Sequence, residues 1–249
     1  MITTLNLLQR AVGLLTKHPL RTVTVLAPAL VLMAIVGFAA AIIAPGFLTS
    51  GAQGTAAGGS SLVVLTAFVL SYAMMAILWH RHTLHDMGEQ RPMTVRLVFG
   101  YIWRALALTA IQIAVNFALI IPLILSIRSN DADTAAPALV SILLSTFITQ
   151  LFLLWLSLRL SLILPAAALG KPISMAKSWR YTVSVSRPLW GVAAVLALAN
   201  TLATSFITLI DLDSSGHQLA IEMTIYIAQG LLIFSVLTTL YSLQARQKA

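Results

Sequence analysis

Six stretches of roughly 20 or more apolar residues, parted by short polar segments, constrain this chain more than any other feature. They lie at about 22–46, 61–80, 105–127, 136–160, 189–210 and 218–243. At 1.5 Å of rise per residue, each can cross a hydrocarbon core of about 30 Å as a helix. Within that core every backbone N–H and C=O must be satisfied internally, which only helices and closed barrels achieve. Continuous apolar runs, rather than strict alternation, select the helix. The expected fold is all-α: a polytopic membrane protein with six transmembrane helices plus short amphipathic interfacial helices, in one domain covering residues 1–249.

Charge points the same way. Only 9% of the residues are charged, against about 25% in soluble domains, too few to clothe a water-facing surface. The net charge of +8 would implicate nucleic acid in a soluble protein. Here the cations sit in short segments beside apolar runs, where they set topology and meet anionic headgroups. The expected partners are the lipid bilayer and anionic headgroups at the cytoplasmic face, with a membrane-protein partner or a second copy as further candidates, and no nucleic acid. The absence of cysteine removes disulfides and thiolate metal sites. A secretory signal is the alternative for the N-terminus, with cleavage near Ala39–Ala41. However, the apolar run Thr22–Leu48 is far longer than the ~7–15 residues of a signal core, which favours an uncleaved first span.

The segments between the spans share a character. Leu5, Leu8, Val12 and Leu15 recur at helical spacing with Arg10 and Lys17 elsewhere on the wheel, as in a helix lying in the interface. His18-Pro19 should end it, because the residue before proline is pushed out of the helical region. Ser50–Ser61 reads as a flexible loop, and Trp79-His80-Arg81 as an aromatic-basic anchor. Arg91–Arg104 reads as a second basic amphipathic segment with Val95, Val98 and Ile102 as its stripe, and Lys171–Arg187 as a third. Thirteen of the fifteen cations fall in the segments before the odd-numbered spans or after the even-numbered ones, Arg128 falls alone on the opposite side, and Arg159 lies within or beside a span. The positive-inside rule then places both termini in the cytoplasm of a bacterial inner membrane.

Odd-numbered spans begin near 22, 105 and 189, a period of roughly 80–85 residues. Arg91-Pro92-Met93-Thr94 matches Lys171-Pro172-Ile173-Ser174 in type, and His18-Pro19 matches Arg187-Pro188. This spacing fits three repeated hairpin units, although any three hairpins under the positive-inside rule look periodic.

Few residues are candidates for chemistry. Arg159 is costly if deep, at roughly 2.5–3.5 kcal/mol. Residues 137–158 already supply about 33 Å of helix, so a position at the cytoplasmic end, snorkelling to headgroups, competes with a functional buried charge. Pro165 is expected to turn the chain, with Trp179 and Arg180 lying along the interface as lipid-contacting residues. Glu222 is the acid within a span, near its outer edge. Gln112, Asn116, Gln150, Asn200 and Gln229 would hydrogen-bond between helices, at about 0.6 kcal/mol each, or line a polar pathway. His80, His82, His85 and Asp86 form the one metal-like spacing, and ordinary interfacial polarity is the favoured explanation. No nucleophile elbow, zinc pair, Walker loop or dinucleotide fingerprint is present. Ser174, Ser178 and Thr182 read as caps and surface hydroxyls. No cofactor, metal site or catalytic set is expected.

Arg159-x-Ser161-Leu162-x-x-Pro165-Ala166, followed by Ser174-x-x-x-Ser178-Trp179-Arg180-x-Thr182, resembles a pattern in uncharacterised bacterial multi-pass inner-membrane proteins. That group includes YciC-like proteins and the membrane domain attached to some glycerophosphodiester phosphodiesterases. The match is strong over about thirty residues, and the six-span layout extends it over most of the chain. The phosphodiesterase activity does not carry over, since the soluble domain is missing. The resemblance implies an all-helical inner-membrane protein with an envelope or lipid-related accessory role. The leading expectation is a non-enzymatic membrane protein acting through lipids or a partner. A small-solute transporter or channel is the alternative, and a lipid-modifying enzyme ranks third.

Overall fold

Long apolar stretches stay helical even across Pro28 and Gly37 in the first of them, while the region after Arg159 breaks ahead of Pro165. The computed structural model describes residues 3–17, 19–43, 59–85, 90–129, 135–209 and 215–246. Their regular structure is entirely helical. In chain order the elements are α1 (Thr4–Thr16), α2 (Pro19–Ile43), α3 (Gly59–Thr83), α4 (Val95–Ser129), α5 (Ala135–Leu160), α6 (Ile163–Ala168), α7 (Met175–Tyr181), a 3-10 turn (Val183–Val185), α8 (Ser186–Leu209) and α9 (Ser215–Arg246). Most of the expected loop Ser50–Ser61, residues 130–134, His18, Asp86, Asp211 and Asp213, the end of the C-terminal tail, and the side chains of Arg128 and Glu222 lie outside the described residues, whereas Gly59–Ser61 of that loop are already helical in α3.

Among the described residues, five stretches are long and apolar enough to cross a membrane: Pro19–Ala39, Val95–Leu119, Phe147–Ala168, Val183–Ala203 and Met223–Gln244. The expected span at 61–80 falls within helix α3, which is not among those five. The outward faces explain why water is the wrong solvent. Leu20, Phe38, Phe99, Trp103, Phe117 and Leu202 are all more than 60% exposed, an apolar surface that a soluble monomer does not present.

Three pairings organise the bundle. α2 runs along α3, α5 runs along α8, and α1 packs on α9 and α8. One core joins α2, α3, α4, α6 and α9 through Leu26, Met75, Ile77, Trp79, Tyr101, Ile163 and Phe234. The other joins α1, α5, α8 and α9 through Leu7, Ala11, Leu158, Leu189, Val192 and Leu237. Small residues allow the close approaches: a Cβ on Gly191 would collide with Thr4, and one on Gly230 with Tyr72, as is usual where helices associate in lipid.

The structure revises several expectations for the connecting segments. α1 is not simply a helix on the membrane surface: Leu7 and Ala11 are fully buried against the protein, while Leu5 and Val12 of the predicted stripe remain 64% and 44% exposed. Its Thr4 hydroxyl donates to the Pro188 carbonyl at 3.2 Å. The segment Arg91–Arg104 forms no separate interfacial helix. Thr94 caps Leu97 N–H at 3.3 Å and one helix runs unbroken to Ser129, because nothing between Val95 and Ser129 forces a break near 104. Trp79 and His80 are fully buried, so they are core residues rather than an interfacial anchor.

Candidate functional site

The region after Arg159 is shaped by one proline. Had α5 continued, the Pro165 ring would have met the Ser161 carbonyl one turn earlier, and that carbonyl would have lost its N–H partner. The helix therefore ends at Leu160 and restarts at Ile163, with Leu164 N–H donating to the Ser161 carbonyl at 2.9 Å. Pro165 then sits in the first turn of α6, where its missing N–H costs nothing. The chain breaks ahead of Pro165 rather than at it. Every residue of α6 is buried, packed against α4, α3 and α9, so Pro165 faces protein and not lipid.

α6 ends on a full glycine cap. Gly170 adopts φ 75°, Lys171 N–H donates to the Ala166 carbonyl at 2.9 Å, and Gly170 N–H to Ala167 at 2.9 Å, the pairings of a Schellman motif. The Arg81 guanidinium adds a bond to the Ala168 carbonyl at 3.1 Å. The chain then enters α7, whose N-terminus is capped by the Ser174 hydroxyl accepting from Lys177 N–H at 3.3 Å.

α7 is thereby laid against the end of α5. Phe152, Trp155 and Arg159 follow one another at spacings of three and four and share a face of α5. Arg159 is only 6% exposed. Its Nε donates to the Thr182 hydroxyl at 3.2 Å and its Nη2 to the Trp179 carbonyl at 3.1 Å. The guanidinium lies 3.5 Å from the centre of the Trp179 ring and 5.3 Å from that of Trp155. Trp155 meets Trp179 edge-on at 5.8 Å and stacks on Trp190 of α8 at 4.6 Å and 16°. The Ser178 hydroxyl, fully buried, contacts the Arg159 and Leu160 carbonyls at 2.7 and 3.0 Å, which caps α5, whose last carbonyls would otherwise be orphaned.

Arg159 is therefore enclosed by neutral acceptors and aromatic faces, and does not snorkel to headgroups. Trp179 is half-buried and turned inward, while Arg180 beside it is exposed. Of the four residues singled out in the sequence, Arg159 and Trp179 come together, Pro165 lies nearby within the core, and Arg180 stands apart. Ser178 and Thr182 are buried and not surface hydroxyls. Trp155 and Trp190 escaped the sequence reading; the aromatic-aromatic-arginine face of residues 152, 155 and 159 is the signal that could have found them.

Other in-span polar groups consume one another. Asn200 Nδ2 donates to Gln150 Oε1 at 2.6 Å, and Gln229 Nε2 to Asn200 Oδ1 at 3.2 Å, which joins α5, α8 and α9. His80 Nδ1 pairs with the Thr238 hydroxyl at 2.9 Å. His80 points into the core while His85 is exposed, and no three His, Asp or Glu side chains converge among the described residues.

No family model matches this chain, and neither a curated protein nor a solved structure matches it.

Proposed function

We propose that the chain is a non-enzymatic integral protein of the bacterial inner membrane, with six spans and both termini in the cytoplasm, that acts through its basic cytoplasmic face on anionic lipid headgroups. A membrane-protein partner or a second copy would dock on that same face. The observation that carries this reading is the division of polar groups. Inside the bundle several are paired with each other, as in Arg159 with Thr182 and Trp179 and Gln150 with Asn200 and Gln229. The cations of the connecting segments are instead exposed, among them Arg10, Lys17, Arg21, Arg91, Lys171 and Arg180.

Kinship with the YciC-like group belongs to this proposal, supported by the motif between Arg159 and Thr182. So does the three-unit arrangement. Each segment that precedes an odd-numbered span packs against the second span of the preceding unit, in a closed order. α7 lies on α5 and α1 lies on α9, while Gln90 Nε2 donates to the Arg81 carbonyl of α3 at 2.8 Å.

Two experiments test the reading. A membrane-impermeant thiol reagent should label Ser174→Cys and Arg180→Cys in inverted vesicles and leave them unmodified in right-side-out ones; the reverse result overturns the orientation. In proteoliposomes, solute flux above that of empty liposomes, abolished by Asn200→Ala or Asn116→Ala, would move the assignment to a transporter.

A further inference from the structure

A cavity of about 570 Å3 opens between the α6–α7 connection, α7 and the C-terminal end of α9, a volume within the range of small-molecule sites. Three cations, Arg91, Lys171 and Lys177, line it together with the Gln244 amide.

Two features show that the cations converge by construction. First, a Cβ on Gly170 would come within 2.8 Å of the Arg91 stem, so the glycine that caps α6 also makes room for Arg91 to lie across the connection. Second, Gln244 is only 7% exposed, and its Nε2 is buried with no hydrogen-bond partner. A buried amide donor is normally satisfied. Gln244 lines a cavity whose charged groups are all donors, and a turn of its side chain would bring this amide to the acceptor oxygens of an anion. The remaining wall is apolar or aromatic, including Leu162 and Tyr241. Leu162 follows the end of α5, and Tyr241 lies in the last turns of α9, so the site stands at the depth where apolar helix gives way to headgroup.

Deepening the proposed lipid-facing role, and resting on it, we infer that this cavity binds a phosphate group, carried by an anionic lipid as a phosphomonoester or present as free inorganic phosphate. Arg91 offers a planar fork suited to paired oxygens, Lys171 and Lys177 contribute point charges, and Gln244 fixes orientation.

The test uses the full chain in an uncharged maltoside detergent. Retention of phosphatidic acid against phosphatidylcholine is read by native mass spectrometry, and inorganic phosphate is titrated calorimetrically. Preferential retention of phosphatidic acid names the lipid as the source; saturable phosphate binding alone names the soluble ion, and both support the site. Lys171→Gln and Gln244→Leu should each weaken binding about tenfold, the loss of one charge-assisted hydrogen bond. Arg180→Gln, which removes an equal charge from the exposed side of α7, should leave it unchanged. Binding of neither ligand, or equal losses in Arg180→Gln and Lys171→Gln, overturns the inference. Because Lys171 is exposed, its variant tests the site even if Gln244→Leu unfolds. Detergent has no sides, so this result stands independently of the labelling that tests orientation.

Discussion

Among the described residues, Arg159 holds its charge inside the protein on neutral partners that are each individually weak. A desolvated cation over an indole gains about 2 kcal/mol, and each hydrogen bond from a charged donor about 1.5–3 kcal/mol. Replacing it by alanine removes these and leaves the Thr182 and Trp179 acceptors facing a gap. We expect Arg159→Ala to cost about 2–4 kcal/mol, seen as a lower unfolding temperature in detergent. Arg159→Lys should recover little of that loss, because an ammonium cannot stack on Trp179 while reaching both acceptors. Equal stability of the lysine variant and the wild type would show that only the charge matters. The same geometry separates neighbouring hydroxyls. A thiol reagent should modify Ser174→Cys within minutes and spare Ser178→Cys, since Ser174 is exposed and Ser178 fully buried.

At the scale of elements, α6 is the unexpected piece. Pro165 reads in sequence as a turn at the cytoplasmic surface, and the structure instead makes Ile163–Ala168 a short helix buried in the core. Gly170 makes the exit possible. A side chain at its positive φ costs about 1–2 kcal/mol, and here it would also strike Arg91. Gly170→Ala is therefore expected to lower the unfolding temperature by more than a helical glycine-to-alanine change such as Gly13→Ala, where nothing lies within 4 Å of the added Cβ. The Gln150–Asn200–Gln229 chain ties three long helices at mid-bundle. A double-mutant cycle of Gln150→Ala with Asn200→Ala should give a coupling of about 0.6 kcal/mol, in line with interhelical bonds in lipid. A coupling near zero would leave those amides as independent contacts.

For the whole molecule, the two cores are stitched together by pieces far apart in the chain: α1 lies on α9, and α6 beneath α4 and α3. Losing α1 would uncover Leu189, Val192 and Leu237. A chain lacking residues 1–17 should accordingly be recovered in the membrane at lower yield and unfold at lower temperature than the full chain. Unchanged yield and unfolding would make α1 an appendage rather than part of the core.

Helical class was legible from residue type alone, because lipid imposes apolarity locally, one helix at a time. Span limits were less so, since the membrane-length stretches include Val95–Leu119 and Phe147–Ala168 where the sequence suggests 105–127 and 136–160. The structure places helices Ala135–Leu160 and Ser186–Leu209 within a few residues of the expected limits. Side-chain partners were not legible in the same way. Trp79, His80, Ser178 and Thr182 look like interfacial residues in sequence, and only packing against elements distant in the chain buries them, as α9 does for His80. Arg159 shows the difference most sharply. The sequence determined that a cation stands at the end of a span. Whether it reaches headgroups or indoles depended on a contact 20 residues away, set by the Pro165 break and the Gly170 cap, and tertiary structure alone decides that.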